Sequence, residues 1–109
     1  MEYLRNLPLG HPKELSRLIH IRPGRVVSME LSRKEDCRIS LLSFADGEGV
    51  SEEAYYGDTL YYVLEGEMPF VEGEKKTVVK QGECICAPAH TLHAIGGASP
   101  FKLLQITIG

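Results

Sequence analysis

Beyond residue 18 the chain alternates between short apolar-rich runs and turns, and no run sustains the 3.6-residue period of an amphipathic helix. Residues 18–21, 25–31, 37–44, 53–56, 59–65, 68–72, 76–80, 83–87, 91–95 and 101–108 read as strands. Between them lie Pro23-Gly24, a charged turn over residues 32–36, Asp46-Gly47-Glu48-Gly49, Gly57, Gly66, Gly73, Gly82 and Gly96-Gly97. In this reading Gly66 ends one strand and the next begins at Met68. Short strands at near-regular spacing predict an all-β sandwich or barrel in a single domain, and the lack of long helices between them disfavours βαβ architectures. Residues 1–17 are expected to form an N-terminal arm, with one helical turn starting near Pro12, and residues 18–109 the barrel. The stretches 37–44 and 101–108 carry apolar residues on both parities, as Ile39 and Leu41 against Leu42 and Phe44. Such strands are covered on both faces, which predicts a homodimer.

Composition narrows the function classes. A length of 109 residues suits one core with little surplus. The balance of 12 basic against 15 acidic residues, a formal −3, gives no nucleic-acid footprint. Arg22-Pro23-Gly24-Arg25 and Arg33-Lys34 read as solvated turns. No apolar run approaches a membrane span, so no membrane partner is expected. Glu2 and Leu7-Pro8-Leu9-Gly10 do not make the basic flank and long apolar core of a signal peptide, and the cytoplasm is the expected location. The three cysteines fit no zinc-ribbon spacing. Cys84 and Cys86 share one strand face and are expected to be buried thiols acting as small hydrophobes. A soft-metal site joining both thiolates to His93 is the alternative.

The stretch from Asp58 to His93 holds two spaced patterns. Tyr61-Tyr62-Val63-Leu64-Glu65 runs into Gly66, and Gly82, Pro88 and His93 stand six and then five residues apart. Together they resemble the two motifs of the cupin superfamily, over roughly residues 36 to 107. The resemblance implies a jelly-roll β-barrel, or double-stranded β-helix, that holds a small ligand or a metal inside. Its first motif, glycine then H-x-H, a glutamate and a closing glycine, places the histidine positions at Glu53 and Tyr55 and the glutamate position at Thr59. In the second, His90 stands where an internal glycine is common.

The ligand set that the resemblance implies is therefore altered. Glu53 and His93 are the candidate metal ligands, with His90 as a third if its loop folds inward. A divalent Fe, Mn, Zn or Ni ion would suit such donors, and a site with no cofactor at all is equally open. Asp58 points away by parity unless a bulge at Gly57 re-aims it. Tyr55, Thr59, Tyr61 and His93 are expected to line the ligand pocket, whereas Tyr56 and Tyr62 suit the surface or an interface. His11 and His20 belong to no constellation. The expected function is a cupin-type barrel binding a small molecule and, if the ligands assemble, a divalent metal. A metal-dependent isomerase or oxygenase acting on a small polar metabolite is the alternative. A third reading is metal-free acid–base chemistry, such as sugar epimerisation, by His93 with Tyr61 or Tyr55.

Overall fold

A computed structural model describes residues 2–109. Its strands are β1 (Val26–Lys34), β2 (Cys37–Phe44), β3 (Gly49–Glu53), β4 (Asp58–Glu72), β5 (Lys75–Lys80), β6 (Cys84–Ala87), β7 (His93–Gly96) and β8 (Phe101–Ile108). All pairings are antiparallel. One sheet runs β1-β2-β8-β4-β6, and the second runs β5-β4-β7-β3. The expected all-β jelly-roll barrel is therefore observed. β4 is 15 residues long and belongs to both sheets. Gly66 does not end a strand, as the sequence suggested, but sits inside β4 at φ +80°. The register against β8 slips there, between Val63 and Glu65. A β-carbon at Gly66 would lie 2.5 Å from the Pro100 carbonyl oxygen. Only glycine lets the strand bend this tightly against its neighbour and pass from one sheet to the other.

The alternation of each strand divides apolar side chains between two clusters. Phe44, Tyr61, Val63, Met68, Phe70, Val79, Ala87, Ile95, Phe101 and Leu103 fill the space between the sheets. Phe44 and Phe101, cross-strand partners on β2 and β8, stack with centroids 4.4 Å apart. A second cluster of Ile19, Leu31 and Leu41 lies outside the first sheet, under Leu7, Leu15 and Leu18 of the N-terminal segment.

That segment is docked by specific bonds. The Arg5 amide donates to the Leu31 carbonyl, and Asn6 Nδ2 to the Glu30 carbonyl. Lys102 is 8% exposed and donates from Nζ to the Ser16 carbonyl at 2.7 Å. A 3-10 turn occupies Leu15–Arg17. Residues 18–21 form no strand, because Leu18 caps this turn and Ile19 drops into the outer cluster. β1 runs on to Lys34, so the β1–β2 turn is only Glu35-Asp36. Glu53 ends β3 rather than opening a strand, since the chain then swings Tyr55 round to accept the His90 amide on its carbonyl oxygen.

Candidate ligand-binding site

His93 opens β7 opposite Glu53 of β3, and its inward parity sets it against Tyr61 of β4. Both are nearly sealed from solvent, at 3% and 2% exposure. Tyr61 Oη lies 2.6 Å from His93 Nε2, and His93 Nδ1 lies 3.0 Å from the Thr91 carbonyl oxygen. A carbonyl only accepts, so Nδ1 carries the proton and Nε2 accepts from the Tyr61 hydroxyl. Phe70 stacks on the imidazole, with centroids 5.5 Å apart at 22°. Burial, reinforced by the neighbouring Tyr55 and Glu53, pushes the Tyr61 phenol far up and keeps it a neutral donor.

Tyr55, in the link between β3 and β4, is half-buried and donates to Glu53 Oε2 at 2.6 Å. Burial first, then the Glu53 carboxylate, raises its phenol to about 12, while the polar side chains of Gln105 and Tyr61 nearby pull the other way. Glu53, Tyr55, Tyr61 and His93 thus form a graded series from an exposed carboxylate to a buried imidazole.

Tyr55 also borders a cavity of about 470 Å³, whose wall includes Arg38, Ser40, Leu42, Gln105 and Thr107. This volume lies in the range of small-molecule sites. The pairing register explains its polarity. Phe44 pairs with Phe101 and Leu42 with Leu103 at one end; Ser40 then pairs with Gln105 and Arg38 with Thr107. The inner face of the first sheet therefore grades from aromatic, through aliphatic and neutral polar, to basic as it nears the β1–β2 turn.

Of the four expected pocket residues, Tyr55 borders this cavity. Tyr61 and His93 lie behind it in the core, and Thr59, fully buried, shares a 3.0 Å hydroxyl contact with Thr107 of the wall. Arg38, Ser40, Gln105 and Thr107 were not singled out from the sequence. Their signal was there, in polar residues on alternate positions of β2 and β8 between the apolar Ile39, Leu41, Leu104 and Ile106.

The expected metal ligands do not converge. Glu53 is exposed and holds Tyr55, and both ring nitrogens of His93 already have partners. His90 is exposed at φ +63°, its amide donates to the Tyr55 carbonyl and its ring meets the edge of Tyr56. Its left-handed backbone accounts for the glycine common at that position. Asp58 faces out and accepts from the Ala89 amide at 2.8 Å, bracing the same loop. Among the described residues no three His, Cys, Asp or Glu side chains are grouped to hold an ion. So arranged, the donor set does not fit a transition metal. The cysteines need a correction too, since Cys84 and Cys86 are exposed rather than buried. β6 edges its sheet and Ile85 takes the inward position, so both thiols face out, away from His93.

The comparisons with known proteins agree with this architecture. The family model described as a cupin domain matches residues 40–107. The search of curated proteins gives no match. A cupin superfamily protein from Desulfitobacterium hafniense is 47% identical, with a TM-score of 0.93 over 96% of each chain. A cupin 2 conserved barrel domain protein from Leptotrichia buccalis is 31% identical, with a TM-score of 0.84 over 87% of this chain and 46% of that one. A Streptococcus pyogenes protein of unknown function shares the fold at 22% identity, with a TM-score of 0.93 over 99% of this chain and 95% of that one. Two sheets joined through a shared strand, an inward histidine after Pro88 and a matching model over most of the barrel converge: the chain belongs to the cupin family.

Proposed function

We propose that this protein binds a small polar molecule in the cavity beside Tyr55. The observation that supports this best is the wall itself, a pocket of about 470 Å³ whose polar groups stand on paired strands. Strand-borne donors hold their positions better than loop-borne ones, as recognition requires. Tyr61 and His93 buttress the site from behind, through Tyr55. A Ser40→Trp variant fills the cavity from its wall. Thermal-shift screening of a metabolite panel should yield compounds that stabilise the wild type and not this variant. Failure to find any stabilising compound, together with native mass spectrometry showing no co-purified ligand, would sink the proposal.

The metal-dependent alternative makes a different forecast. It requires close to one equivalent of Fe, Mn, Zn or Ni in protein purified without chelators, measurable by elemental mass spectrometry. The binding reading expects none, because Tyr61 and the Thr91 carbonyl occupy both nitrogens of His93.

We further propose that the protein works as a cytoplasmic homodimer. The outer face of the first sheet carries Leu60, Tyr62, Cys84, Cys86, Ile106 and Ile108 side by side and partly or fully exposed. The apolar patch continues to β6, which pairs only with β4 among the described residues, so a second copy could cover the face and meet the strand edge together. Three free cysteines suit a reducing compartment.

A further inference from the structure

Arg33 and Arg38 stand directly opposite each other on β1 and β2, and both border the cavity. Like charges in this cross-strand relation repel, so something must compensate. For Arg33 the compensation is present: its Nε donates to Glu30 Oε2 at 2.6 Å. Arg38 forms no ion pair among the described residues. Glu35 and Asp36 border the same cavity from the β1–β2 turn, yet neither pairs with it. Next to the guanidinium on the inner face are the hydroxyl of Thr107, its direct cross-strand partner, and one rung further in the Ser40 hydroxyl and the Gln105 amide. These neighbours are neutral hydrogen-bonding groups, and the one carboxylate on the adjoining rung, Glu30 opposite Ser40, is already engaged by Arg33 and Arg5.

From this arrangement we infer that the bound molecule is an acid, whose carboxylate or phosphate oxygens seat against Arg38 while its remainder extends toward Ser40, Gln105 and Leu42. The guanidinium offers a planar fork of donors that matches either oxyanion, and such charge-assisted bonds are stronger than neutral ones. The polarity gradient of the wall sets the orientation, with the anionic end at the β1–β2 turn and the less polar end toward Leu42 and the core. This inference rests on the reading of the cavity as the ligand site and names the chemical class that the site takes.

The test is titration calorimetry of the full chain with matched pairs. Succinate and citrate are set against succinamide, and glycerol phosphate and glucose phosphate against glycerol and glucose. At least one acid should bind where its neutral counterpart does not, and the carboxylate and phosphate arms identify which oxyanion is preferred. Arg38→Gln should weaken that binding at least tenfold, and Arg38→Lys, which keeps the charge and loses the fork, should fall between. Arg38 is exposed and makes no ion pair among the described residues, so the circular dichroism and melting temperature of both variants should stay close to wild type. Neutral compounds binding as tightly as their acids, or an Arg38→Gln variant binding like wild type, overturns the inference while leaving the cavity reading intact. If no compound of either kind binds, both readings fall.

Discussion

The imidazole of His93 shows how one residue can be readable in the sequence and yet differ in its chemistry. Its place after Gly82 and Pro88 in a motif resembling that of cupins implies that it points inward, and it is inward. What the spacing does not reveal is that Tyr61 and the Thr91 carbonyl hold both nitrogens. Tyr61→Phe leaves Nε2 buried without a donor and should cost about 1–3 kcal/mol in urea denaturation. The tyrosines also tie stability to pH. The Tyr55 phenol is raised to about 12 in the folded protein, so the folded state holds its proton after the unfolded chain, near 10, has lost it. Its contribution is complete below pH 10 and lost as pH climbs toward 12. Denaturant midpoints measured across that interval should therefore fall with rising pH, and less steeply in Tyr55→Phe.

Among the elements, β4 decides the architecture, because one uninterrupted strand serves both sheets. The sequence placed a break at Gly66, since glycine between two apolar runs ordinarily marks a turn. The same glycine instead allows a bend at φ +80° against the Pro100 carbonyl, and the ladder continues beyond it. Gly66→Ala meets a left-handed backbone penalty of about 1–2 kcal/mol together with a steric clash. The variant should lose more than about 2 kcal/mol in chemical denaturation, and a near-neutral result would show that β4 can bend by another route. By contrast, the bounds of β2 and β8 were legible to the residue, since charged turns flank β2 and a proline-bearing turn precedes β8. Residues 18–21 looked like a strand for their apolar content, but the burial of Ile19 under the N-terminal segment is a tertiary contact with no periodic signature.

On the scale of the molecule, apolar residues on both parities of β2 and β8 divide between the barrel interior and the outer face of the first sheet. The N-terminal segment covers only part of that outer face. Tyr62, 36% exposed beside Cys84 and Leu104, lies in the uncovered part. Sedimentation of the wild type should give a dimer, and Tyr62→Glu should give a folded monomer, because a carboxylate cannot be desolvated there without a partner. A wild-type monomer at high micromolar concentration would remove the case for self-association.

Alternation and turn residues were enough to determine an all-β barrel, because both are local properties, written in the two-residue period of a strand and the special dihedrals of its turns. The inward place of the histidine was implied by the resemblance of Gly82, Pro88 and His93 to a cupin motif. The convergence of side chains depends instead on register between strands far apart in the chain. Tertiary structure alone decided that His90 stays outside the Glu53–His93 pair and that Arg33 faces Arg38. It also decided that Ser40 and Gln105 meet across β2 and β8, because a single-residue slip in any ladder would turn each of these side chains to the opposite face.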